Sequence, residues 1–252
     1  MSVVLLEKPV AGVAVIRLNR PEVRNALTTE VRLLIEQYVD ELNADPGIRA
    51  IVLAGNDTVF AVGADLKEQL GRTVTGAIQT FTTHAFWKSP KPVIAAVNGD
   101  AFGGGCELVL QCDFVIASSN ARFCQPEVNL GFVPGGGATQ RLPRAIGRQN
   151  AMYALLTATP IPAAEAQRMG LVSEIVEGDA TLRAIELAAL IATKPPITVQ
   201  QIKEVVRLGL DTTSEAGIAM ERSRWQLMFG TRDLHEGIGS FLDGKPANYR
   251  GE

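Results

Sequence analysis

The sequence predicts an α/β fold of repeated β-β-α units followed by a helical C-terminal part. Three observations predict it. Apolar runs at residues 48–54, 92–97 and 114–117 each end in Gly, Asn, Asp or Ser, the pattern of short strands buried on both faces of a parallel sheet. The segments between them are helical or irregular and a few dozen residues long, which suits repeated strand and helix units. After Lys194-Pro195-Pro196 every remaining pattern is helical, because adjacent prolines stop the preceding helix and no alternation follows. The repetition is one of form, with no close repeat of sequence.

Taken in order, residues 13–18 are apolar and β-branched and end at Asn19-Arg20-Pro21, where proline cannot continue a ladder. Thr28 and Thr29 then offer caps and Glu30 an acidic first turn. Val31, Leu34, Ile35, Tyr38, Val39 and Leu42 recur at helical spacing up to Asp45-Pro46, so an amphipathic helix follows the strand. The runs 48–54, 92–97 and 114–117 are closed by Gly55-Asn56-Asp57, Asn98-Gly99 and Ser118-Ser119-Asn120. A helix is expected over 106–112, another over 185–192, and three more over 197–208, 215–228 and 232–242. These divide the chain into a core of residues 1–194 and a helical region of 195–252. Ile218, Met220, Trp225, Leu227, Met228 and Phe229 exceed what so short a region buries alone, so packing on the core or on another subunit is expected.

Composition narrows the function classes. The chain of 252 residues is 46% hydrophobic and 20% charged, ordinary for a globular domain with a sizeable core. Lys and Arg number 24 against 27 Asp and Glu, a net charge of −3 that offers no footprint for nucleic acid or an anionic membrane. Cys106, Cys112 and Cys124 show no C-x-x-C spacing and are expected as reduced thiols. No apolar stretch reaches the ~18 to 20 residues of a membrane span, and no leader pattern is present, so a soluble, cytoplasmic protein is expected.

Several chemistries are absent from the sequence. There is no G-x-S-x-G, no G-x-x-x-x-G-K-[ST], and no G-x-G-x-x-G after a strand. Neither His84 nor His235 has a second His or Cys at ligand spacing, so no metal is expected. Gly103-Gly104-Gly105 lies just after the strand 92–97 and before the expected helix. It reads either as a turn for tight packing or as a place where free backbone amides meet an oxyanion. Glu107 falls in the first turn of that helix, and Gln125-Pro126-Glu127 follows the next strand and leads into the apolar, glycine-rich 128–137. Two carboxylates facing one dry pocket would suit paired acid and base work, although a first-turn Glu is commonly a partner of the helix dipole.

These residues resemble the enoyl-CoA hydratase/isomerase (crotonase) superfamily nearly end to end. The resemblance rests on Leu18-Asn19-Arg20-Pro21 with Asn25-Ala26-Leu27, on 60–68 (FAVGADLKE), on 91–99 (KPVIAAVNG) through 103–108 (GGGCEL), and on Gln125-Pro126-Glu127 with 134–142 (PGGGATQRL). It implies a crotonase-like spiral of β-β-α units with a C-terminal helical region used in trimers or hexamers. It implies that the Ala64 and Gly104 amides form an oxyanion hole, and that Asp65, Leu66 and Lys67 line the entry of an acyl-CoA thioester. Glu107 would hold and activate water, and Glu127 would deliver the proton to C2. No cofactor is implied beyond the coenzyme A of the substrate.

The same resemblance leaves rivals. A 3,2-trans-enoyl-CoA isomerase needs only one carboxylate, and retention of both glutamates favours hydration. A non-catalytic CoA-thioester binder or an RNA-binding member would share the fold, but the acidic balance and the intact pair speak against it. Asp100 and Phe102 stand where many members have an aromatic and a leucine, and Gly135-Gly136-Gly137-Ala138 replaces an order with alanine second. Phe81, Phe86, Trp87 and Phe132 are candidates for the acyl pocket or for plain core.

Overall fold

The structure, a computed structural model, describes residues 2–78 and 84–252. The chain opens with a hairpin, β1 (Val4–Val10) and β2 (Gly12–Leu18), joined at Gly12 with φ +79°. Helix α1 (Thr29–Ala44) begins where the Thr28 side chain accepts from the Val31 amide at 3.2 Å, and it buries Val31, Ile35, Val39 and Leu42. Three strand pairs follow: β3 (Ile48–Ala54) with β4 (Val59–Ala61), β5 (Val93–Val97) with β6 (Asp100–Phe102), and β7 (Phe114–Ser118) with β8 (Arg122–Cys124). Helices α2 (Leu66–Gln69), α3 (Val74–Ile78) and α4 (Ala85–Lys88) follow the first pair, and α5 (Gly104–Val109) the second. After the third come α6 (Ala138–Ile146) and α7 (Arg148–Thr157), then β9 (Ile161–Pro162), α8 (Ala163–Met169) and β10 (Glu174–Val176). The remaining elements are α9 (Ala180–Ala192), α10 (Pro196–Gly209), α11 (Ser214–Met228) and α12 (Arg232–Asp243).

The long strands form one sheet in the order β1-β2-β3-β5-β7-β10 and the short ones a second, β4-β6-β8-β9. Apart from the pairs β1/β2 and β8/β9, neighbours run parallel. Each repeat therefore lays one strand in each sheet, and the expected β-β-α form is present. The layers approach so closely that a Cβ at Gly99 would lie 1.9 Å from the Thr58 carbonyl oxygen, and one at Gly105 2.2 Å from that of Ala61. Only glycine fits such contacts.

Burial explains why 48–54 is apolar on both faces. Ile51 and Leu53 face the main core with Val31, Ile35 and Phe60, whereas Ala50, Val52 and Ala54 face a second cluster closed by Ala180, Ala184 and Ala188 of α9. That stripe of alanines at a spacing of four lets α9 lie close against the sheet. Asn98 ties its start to the β5–β6 turn, donating to Asp179 Oδ1 at 2.6 Å and accepting from the Ala180 amide at 2.7 Å.

Helices α10 and α11 bury no residue fully, and Ile218, Trp225, Leu227 and Phe229 are exposed. Lys203 anchors α10 to the core through the Lys91 carbonyl at 2.9 Å and Asp113 at 2.9 Å. Among the described residues no helix is long and apolar enough to cross a membrane.

Candidate active site

Strands β4, β6 and β8 lie side by side and parallel, so their carboxyl ends open onto one place. The first end leads to Gly63-Ala64, the second to Gly103-Gly104 and the third to Gln125-Pro126-Glu127. Crevices outside the carboxyl ends of parallel strands are where α/β folds bring loops together. Here each repeat supplies one loop.

The first two loops bring two backbone amides close to one another. Leu27 fixes the first loop, its amide donating to the Gly63 carbonyl at 2.8 Å and its carbonyl accepting from Asp65 at 3.1 Å. Gly63, at φ +101°, lies so near the second loop that a Cβ on it would be 3.2 Å from the Phe102 oxygen and 3.3 Å from the Gly104 nitrogen. A Cβ on Gly104 would in turn be 3.7 Å from the Ala64 nitrogen. Among the described residues neither the Ala64 nor the Gly104 amide donates a backbone hydrogen bond. Neighbouring amides left without an acceptor are the kind of donors an oxyanion uses.

Glu107 is 6% exposed and sits in the first turn of α5, which begins at Gly104, two residues earlier than the sequence pattern suggests. Its Oε1 accepts from the amides of Gly136 at 2.6 Å and Ala138 at 3.1 Å. One carboxyl oxygen is thereby held and the other, Oε2, is left for other partners. Glu127 opens the 3-10 turn Glu127–Leu130, and a Cβ on Gly103 would come within 3.0 Å of its Oε1. Burial pushes its carboxyl from 4.5 up to about 7, its own backbone amide opposes the shift, and nearby Glu107 adds to it. With its amide nitrogen turned toward Glu127, buried Gln125 stands 3.3 and 3.2 Å from the two carboxyl oxygens. A carboxyl that titrates near neutral pH is suited to giving and taking protons.

The other expected site residues divide. Asp65 accepts from the Lys67 amide at 3.1 Å and pairs with Arg20 at 3.4 Å, so its carboxylate organises the loop. Leu66 and Lys67 are exposed beside it. Phe86 is fully buried core, Phe132 is about half exposed, and Trp87 carries Arg141 4.8 Å from its ring centroid. Phe81 lies outside the described residues. Asp100 holds Arg122 at 2.8 Å and Arg24 at 2.6 Å. His84 meets Arg141, and among the described residues no three metal-ligating side chains gather.

The roles of three contributors escaped the sequence pattern. Gly136 and Ala138 anchor Glu107 from 29 and 31 residues away, a distance at which spacing carries no signal. Arg32, on α1, reaches the second loop with Nη2 3.6 Å from the Cβ position of Gly104. A charge beside the apolar stripe of α1 was its one visible mark.

The family model described as enoyl-CoA hydratase/isomerase matches residues 8–252. A 2,3-dehydroadipyl-CoA hydratase of Escherichia coli (strain K12) is 41% identical over 247 residues, 95% of this chain and 95% of that protein. A crotonyl-CoA hydratase of Syntrophomonas wolfei is 39% identical over 253 residues, 98% of this chain and 97% of its own. The crystal structure of an enoyl-CoA hydratase from Bacillus anthracis superposes with a TM-score of 0.93 at 33% identity, covering all of both chains.

Proposed function

This chain belongs to the enoyl-CoA hydratase/isomerase family, and we propose that it adds water across the 2,3 double bond of a 2-enoyl-CoA to give a 3-hydroxyacyl-CoA. The observation that carries this reading is the pair of carboxyls, Glu107 and Glu127, beside two free amides. The names of the relatives, hydratases of crotonyl-CoA and 2,3-dehydroadipyl-CoA, support the same reaction.

On this reading the thioester carbonyl oxygen rests on the Ala64 and Gly104 amides, and electron density withdrawn to it makes C3 electrophilic. Glu107, with Oε1 held by two amides, presents Oε2 to a water and takes its proton as the oxygen bonds to C3. The C2–C3 π pair moves toward the carbonyl, forming an enolate whose charge strengthens both amide hydrogen bonds. Protonated Glu127 then delivers a proton to C2, and proton exchange with solvent resets both acids. The coenzyme A moiety enters past Asp65, Leu66 and Lys67, and no cofactor beyond it is called for. The exposed apolar side chains of α10 to α12 support residues 195–252 as the region through which copies associate, in trimers or hexamers.

Loss of the crotonyl-CoA absorbance measures the reaction. Glu107→Gln and Glu127→Gln should each lower kcat by about 10²- to 10⁴-fold, and hydration unaffected by both changes would sink the mechanism. Conversion of a 3-enoyl-CoA without hydration would favour the isomerase instead.

A further inference from the structure

Arg32 sits where neither the fold nor hydration asks for a cation. It lies on α1 between the buried Val31 and the buried Ile35. Its Nη2 is 3.6 Å from the Cβ position of Gly104, a point also 3.7 Å from the Ala64 nitrogen and 3.3 Å from Leu27 Cδ1. The guanidinium therefore borders the two free amides. Among the described residues its side chain makes no hydrogen bond or ion pair.

The carboxylates within electrostatic range, Glu107 and Glu68, are bound elsewhere: Glu107 by the amides of Gly136 and Ala138, Glu68 by the amide and hydroxyl of Thr29 at 3.0 and 3.1 Å. Burial pushes the guanidinium below the usual arginine value, Glu107 and Glu68 pull it back, and Arg72 opposes them. A rigid fork of five donors, half-buried on α1 and left without an acceptor among the described residues, is poised for an anion that a ligand supplies.

Two anionic groups of an acyl-CoA are unsuited to it. The enolate oxygen is already served by the amides, and the phosphates of coenzyme A lie at the far end of the pantetheine from the thioester. An anion on the acyl side remains. We propose that Arg32 binds the terminal carboxylate of a short dicarboxylic acyl group, a pairing whose planar fork geometry guanidinium matches. Resting on the hydratase reading, this makes the substrates 2-enoyl-CoA thioesters that end in a carboxylate.

The test is a binding comparison that needs no turnover. Glutaryl-CoA and adipyl-CoA are titrated calorimetrically against their uncharged counterparts, pentanoyl-CoA and hexanoyl-CoA, with wild type and with Arg32→Leu, Arg32→Gln and Arg32→Lys. Wild type should favour at least one carboxylated ligand over its counterpart by about 10- to 100-fold, the usual gain of a shielded charge-assisted pair. In Arg32→Leu that ratio should fall to one or below, and Arg32→Lys should keep part of it. Arg32→Gln carries the comparison if the leucine variant does not fold. A wild-type ratio near one overturns the proposal, as does a ratio that survives in Arg32→Leu or Arg32→Gln or an equal loss for both members of a pair. Hydration of crotonyl-CoA and of glutaconyl-CoA, a 2-enoyl-CoA that ends in a carboxylate, is assayed separately. Absence of both with an intact ratio sinks the reaction but not the carboxylate site, and presence of either with a ratio of one sinks the site alone.

Discussion

Replacing Glu127 by Gln should stabilise the protein relative to wild type at pH 8 and much less at pH 5. The folded carboxyl titrates near 7 against an ordinary 4.5, so between those values the folded state keeps a proton that the unfolded chain has released. Wild-type stability then falls as pH rises, with the full contribution present below about 4.5 and the loss complete above about 7. For a fully buried group the difference would be roughly 3 kcal/mol, but Glu127 is only partly buried and solvent screening leaves ~1–2 kcal/mol. Glutamine cannot ionise, so the stability gap between variant and wild type should widen by that amount from pH 5 to pH 8. Any constant offset from an altered contact with Gln125 cancels in that difference. Urea unfolding of both proteins at the two pH values and one fixed protein concentration measures it. A gap that stays the same at both pH values would show that Glu127 ionises like a surface carboxylate, and its service as a proton donor at neutral pH would lose its physical basis.

The same titration governs the rate. With Glu127 as donor to C2, kcat/KM for crotonyl-CoA should decline above about pH 7, approaching tenfold per pH unit, and a flat profile from pH 6 to pH 9 would contradict this role. Gly99→Ala places a Cβ 1.9 Å from the Thr58 oxygen and 2.4 Å from its carbonyl carbon, backbone atoms that cannot swing aside, and should cost about 1–3 kcal/mol or more by overpacking. Thermal unfolding reads it out, and an unchanged Tm would mean that the two sheets are not pressed together there.

What the sequence disclosed follows physical rules. The run 48–54 was legible because a strand covered on one side by α1 and the main core and on the other by α9 must be apolar throughout. Helix α1 was legible because cap and stripe agree. The second sheet was not, since strands of two or three residues such as Val59–Ala61 and Arg122–Cys124 are too short to show a period. Helix α6 was hidden by Pro143, which stands inside it and reads as a breaker. Helix α9 begins five residues before the apolar run at 185, because Asp179 caps it by accepting from the Thr181 amide. In the site, Gly103 to Gly105, Glu107 and Glu127 stood out as compact motifs. Arg32 and the anchors of Glu107 did not, because their partners are neighbours only after the repeats stack.

That stacking also gives a departure from the family order a role the motif alone did not suggest. Glycine rather than alanine at 136 bears on the catalytic carboxyl: a Cβ there would stand 2.5 Å from Glu107 Oε2 and 2.8 Å from its Cδ, while the Gly136 amide donates to Oε1. Gly136→Ala alone must therefore push the Glu107 carboxyl aside or open the turn that holds it. Misplacement of about 1 Å in an acid–base group costs up to ~10²-fold in rate, so kcat for crotonyl-CoA should drop roughly 10- to 100-fold while the affinity for a saturated acyl-CoA changes little. Gly136→Ala combined with Ala138→Gly restores the commoner order and gives the turn the freedom of glycine at 138, next to Gly137 at φ +109°. The double variant should recover most of the lost kcat, because its turn can move off the carboxyl while both amides remain to hold Oε1. A single variant as active as wild type would show that Glu107 has room to spare, and a double variant no better than the single would show that alanine at 136 acts through something other than the turn that anchors Glu107.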